Sequence, residues 1–75
     1  MAKQIKNQKT LGEVELLEGL MEGALIFCEK KSYIYKHLAL ANIGPFETIR
    51  YYICIDAKSG QLVPLTSDAK VTVLQ

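Results

Sequence analysis

Residues 32–56 read SYIYKHLALANIGPFETIRYYICID, and how this stretch folds back on itself decides the fold. Ser32–Ala41 and Phe46–Asp56 are two runs rich in β-branched and aromatic residues, joined by the turn-forming Asn42-Ile43-Gly44-Pro45. With Ala41 opposite Phe46, His37 falls across from Arg50, Tyr35 across from Tyr52 and Tyr33 across from Cys54. That makes one polar, aromatic face. The same register sets Ile34 against Ile53, Leu38 against Ile49 and Lys36 against Tyr51, so the other face is mostly aliphatic and is expected to be the core. A slip of one residue would scatter both sets.

Upstream, Thr10 and Glu13 stand at the spacing of a capping box, which predicts a helix starting at Leu11. Val14, Leu17, Leu20, Met21 and Ala24 share one side of a helical wheel, and Glu15, Glu18 and Glu22 share another. Gly19 or Gly23 can close it, which favours Leu11–Glu18 with an extension to Met21 at most. Ala24–Glu29 then reads as a strand turned back by Lys30-Lys31-Ser32. Downstream, Asp56-Ala57-Lys58-Ser59-Gly60 has the Asp start and Gly end of a type I turn with a glycine bulge. Leu62-Val63 resumes as a strand that Pro64 confines to an edge or an end. Thr66-Ser67-Asp68 is a turn, and Lys70–Leu74 is the last strand.

These elements predict a mainly β (α+β) fold. One short N-terminal helix precedes about five antiparallel strands in consecutive hairpins, forming a meander, a curled sheet or a small barrel. Residues 1–9 are expected to be a flexible tail or an edge strand, and 10–75 a single small domain. A chain of 75 residues buries only about 60% of its unfolded surface, so oligomerisation is the expected aid to stability.

The formal net charge is +1, which speaks against a general nucleic-acid binder working through phosphate contacts. No apolar run approaches the ~20 residues of a membrane span, and no apolar stretch follows the N-terminal lysines as in a signal peptide. The expected setting is the cytoplasm, with Cys28 and Cys54 as free thiols. One histidine and two cysteines make no zinc set, and no phosphate-binding glycine loop is present. In the expected register Cys54 and His37 lie roughly 13 Å apart at ~3.4 Å per residue, too far for a catalytic dyad. The expectation is a non-enzymatic protein without metal or cofactor.

The residues that carry function on this reading are Tyr33, Tyr35, His37, Arg50 and Tyr52. Tyrosines stack and hydrogen-bond, arginine grips phosphate or carboxylate, and histidine donates or accepts. They suit a homo-oligomer or a protein partner. The alternatives are sequestration of an anionic nucleotide in a pocket at a subunit boundary, and a nucleic-acid-binding small barrel.

Leu62-Val63-Pro64-Leu65, leading through a short turn to Val71-Thr72-Val73-Leu74, resembles the last two strands of Src-homology-3-like barrels. The acidic loop and paired aromatics that bind proline-rich ligands in that family are absent, so the resemblance implies topology rather than ligand. Ile55-Asp56, Gly60-Gln61-Leu62 and Val71-Thr72-Val73-Leu74 together are similar to small accessory proteins of bacteriophages. That likeness implies a phage or mobile-element protein that binds a host protein or withholds a nucleotide signal from host defence.

Overall fold

The computed structural model describes residues 8–75; the rest of the predicted N-terminal tail lies outside them. A two-residue strand β1 (Lys9–Thr10) leads into helix α1 (Leu11–Leu17). The strands β2 (Leu25–Cys28), β3 (Lys31–Asn42), β4 (Thr48–Asp56), β5 (Leu62–Thr66) and β6 (Lys70–Leu74) follow. All pair antiparallel in one sheet of order β1-β6-β2-β3-β4-β5. The mainly β reading with one short helix therefore holds. The continuous meander does not, because β6 returns to pair with β2 and β1 instead of with β5.

That return curls the sheet. From Thr66 to Lys70 the chain can reach at most about 14 Å at ~3.3–3.6 Å per residue. Four strand spacings of ~4.8 Å would set β5 about 19 Å from β6 in a flat sheet. The sheet bends to let this short link close, and it remains open between its ends.

Local chemistry sets the turns. Glu29 and Lys30 both have positive φ, 52° and 69°, as a two-residue turn matching the right-handed twist of its strands requires. The turn therefore lies one residue or more before the expected Lys30-Lys31-Ser32. Asp56 accepts at Oδ1 from the backbone N–H groups of Lys58 and Ser59, and Gly60 at φ 79° donates its N–H to the Asp56 carbonyl. This is the expected turn. Pro64 lies within β5 rather than ending it, and is tolerated because β5 is an edge strand.

Between β3 and β4 the expected register is corrected. Tyr33 pairs with Asp56, Ile34 with Ile55 and Tyr35 with Cys54. Lys36 is then an extra residue, after which His37 pairs with Ile53, Leu38 with Tyr52, Ala39 with Tyr51, Leu40 with Arg50 and Ala41 with Ile49. The loop is longer than Asn42–Pro45, since the Ile43 N–H closes on the Glu47 carbonyl at 3.1 Å. The irregularity at Lys36 also inverts side-chain alternation along β3. Tyr33 and Tyr35 point to one face, His37 to the opposite one, and Leu38 back to the first.

The core lies on the face expected to be free. Tyr33, Tyr35, Tyr52, Cys54, Ile26 and Val71 form one buried cluster with Leu11 and Val14 of α1. The helix is short: Glu18 caps it and Gly19 follows at φ 79°. Leu17, expected on its apolar side, is exposed. Thr10 and Glu13 form the predicted capping box.

Candidate functional site

Alternation along β4 sends Arg50, Tyr52 and Cys54 inward and Ile49, Tyr51, Ile53 and Ile55 outward. Of the five predicted binding residues, Tyr33, Tyr35 and Tyr52 are thus core residues. The Tyr35 and Tyr52 rings sit 6.4 Å apart at 46°, an edge-tilted contact of the kind aromatic pairs favour. Tyr52 can be buried because its hydroxyl finds a partner, donating to Glu15 Oε1 at 2.6 Å. Burial and the Glu15 carboxylate push its pKa up to about 12.

Arg50 stands at the rim of the same face, exposed, with Nη1 donating to Glu15 Oε1 at 2.9 Å. The Tyr52 hydroxyl and the Glu15 carboxylate beside it raise its already high basicity. An open groove of about 370 Å³ runs alongside, lined by Gly12, Glu15, Leu16, Arg50, Tyr52 and Ser67. An anion entering it would have to compete with Glu15 for the guanidinium. Glu18 likewise pairs with Lys9 at 3.0 Å and Glu22 with Lys36 at 3.6 Å. Glu15 and the helix cap Glu18 thus reach β4 and β1, while Glu22, in the turn before β2, reaches β3; Glu18 and Glu22 stay largely solvated.

His37 is exposed on the outer face, across from Ile53. Cys54 lies beneath the sheet's other side, its thiol pushed up to about 11 by burial, so the two cannot act together. Cys28 is also unpaired, and burial raises its pKa. Among the described residues, no group of three or more His, Cys, Asp or Glu side chains is placed to hold a metal ion. No described helix is long and apolar enough to cross a membrane.

The outer face is the feature that sequence reasoning misplaced. Ile49, Tyr51, Ile53 and Ile55 form a ridge along β4. On one flank β3 contributes Ile34, His37, Ala39 and Ala41; on the other β5 contributes Leu62, Pro64 and Thr66. A row of aliphatic residues also crosses five strands in direct register: Leu74 beside Leu25, Leu25 beside Ile34, Ile34 beside Ile55, Ile55 beside Leu62. Leu62 is 68% and Leu74 57% exposed. None of these side chains is acidic, and no described element covers them. A signal was present: a chain with one short helix can cover only one face of a sheet.

No protein-family model matches the chain, and neither a curated protein nor a solved structure matches it.

Proposed function

We propose that this chain is a small non-enzymatic binding protein whose working surface is the outer face of its sheet, where it seats an apolar surface of another protein. The observation that carries this reading is the half-exposed ridge Ile49-Tyr51-Ile53-Ile55, flanked mainly by apolar residues and with no described element over it. Contiguous exposed apolar surface is what partner-binding faces share, and the centres of such faces are depleted in charge. A nucleotide ligand is not proposed for this face, because the stacking rings that reading needs, Tyr33, Tyr35 and Tyr52, are buried. The finer likeness to a Src-homology-3-like barrel is retained as part of the proposal. A curl that lets so short a link join the strands on either side of the meander supports it.

An environment-sensitive dye such as bis-ANS tests the reading at about 1 µM protein, where weak self-association is absent. The folded chain is expected to bind the dye, and Ile53→Lys to abolish binding while leaving the melting temperature within a few degrees. Dye binding unchanged in Ile53→Lys, or a melting temperature that collapses as for a core substitution, would remove the proposal.

A further inference from the structure

Resting on that reading, we propose that the occupant of the outer face is a second copy of this chain. The two copies dock so that the Ile49-Tyr51 part of each ridge lies over the Ala39-Ala41 groove of the other.

The register makes the surface self-complementary. Ala39 is the direct cross-strand partner of Tyr51, and Ala41 of Ile49, so a bulky ridge runs beside a shallow groove at matched heights. Consider a two-fold axis parallel to the strands, midway between β3 and β4 and above the outer face. It carries β4 of each copy over β3 of the other without changing height along the strand. Tyr51 then meets Ala39, and Ile49 meets Ala41, in both directions at once, as an isologous interface requires. The sheets would stack ~10 Å apart with their mean strand directions well within the ~30° of aligned sheet packing.

Charge permits it too. The strip formed by Ile34, His37, Ala39 and Ala41 with the β4 ridge and Leu62, Pro64 and Thr66 contains no Asp, Glu, Lys or Arg. A second copy therefore brings no like-charge repulsion, whereas nothing in the strip selects a charged partner. Lys36, beside it, is already paired with Glu22.

Area sets the strength. The ridge spans six residue steps, about 20 Å, and the overlap runs across the exchanged β3 and β4 to β5 of each copy over β2 of the other, about 15 Å of width before side-chain margins. That is on the order of 500 Å² per copy, or about 1,000 Å² in the dimer, the lower bound for a specific interface. The association should be reversible, with a dissociation constant on the order of 100 µM. It would give the uncovered sheet face the second layer that this small domain lacks.

Sedimentation velocity of the full chain from about 1 µM to about 1 mM tests this directly. Wild type is expected to pass from monomer to dimer within that range. Ala39→Phe keeps the face apolar but fills the groove, and is expected to weaken the dimer at least tenfold while dye binding persists. Ile53→Lys should lose both, and Leu16→Lys, on the exposed side of the helix, should lose neither. A monomer at about 1 mM, or a dimer that Ala39→Phe leaves intact, overturns the second copy as occupant. In either case, dye binding lost in Ile53→Lys keeps the binding reading, and dye binding retained removes it as well. Should Ile53→Lys fail to fold, the outer face is structural and both readings fall.

Discussion

Glu15 Oε1 accepts the Tyr52 hydroxyl at 2.6 Å, and the same oxygen takes the Arg50 guanidinium at 2.9 Å. One carboxylate oxygen thus fastens α1 to β4 and allows a tyrosine to lie fully buried. Tyr52→Phe leaves Arg50 on Glu15 but removes the hydroxyl, and is expected to destabilise by about 1–2 kcal/mol. Tyr52→Ala also opens a cavity and is expected to remove about 3–5 kcal/mol, enough to unfold much of a domain this small. Urea titrations followed by circular dichroism measure both. Equal losses for the two variants would show that the ring does not pack as described.

Alkaline pH should weaken the fold in a defined window. Burial raises Cys54 from 9.0 to about 11, and burial with the Glu15 contact raises Tyr52 from 10.0 to about 12. Both groups are held in their protonated form by the folded state. Their contribution is complete below the unfolded values, falls from pH 9 upward as Cys54 ionises in the unfolded chain, and falls further between pH 10 and 12 with Tyr52. Denaturant midpoints at stepped pH should decline across this range, and Cys54→Ala should flatten the first part. A midpoint constant to pH 11 would contradict the burial of both groups.

Thr10 caps α1 through its side chain and accepts from the Glu13 N–H. Thr10→Ala is expected to lower stability by about 1 kcal/mol, and Thr10→Ser to restore most of it. The check is a pair of thermal melts. No difference between Ala and Ser at this position would mean that the cap contributes nothing.

These local features were readable because they are decided within a few residues. Thr10 and Glu13 announce the helix start, and Asp56 and Gly60 announce their turn, without reference to the rest of the chain. The β3–β4 register was not readable in the same way. The extra residue at Lys36 and the loop from Ile43 to Glu47 exchange one against the other, and no neighbouring residue chooses between them. Alternation alone correctly grouped Tyr33, Tyr35, Tyr52 and Cys54 on one face, and the irregularity at Lys36 removed His37 from it. Which face is covered depended on Glu15, distant in sequence, supplying the hydroxyl partner that makes a tyrosine core possible. The same distance hid the return of β6 to β2.

Substitutions on the two faces should therefore differ in kind. Tyr35→Ala, in the buried cluster beside Tyr52, is expected to destabilise by about 3–5 kcal/mol. Ile49→Ser on the outer ridge, measured in the dilute monomer, is expected to change stability by no more than about 1 kcal/mol. Comparable losses at both sites would mean that the outer face is structural.

Methyl resonances of isoleucine- and alanine-labelled protein, followed on dilution from about 1 mM to about 10 µM, test the central claim most directly. Shifts confined to Ile34, Ala39, Ala41, Ile49, Ile53 and Ile55, with Ile26 in the core unmoved, are the predicted result. Shifts that bypass the ridge, or no shift at any outer-face methyl, would contradict it.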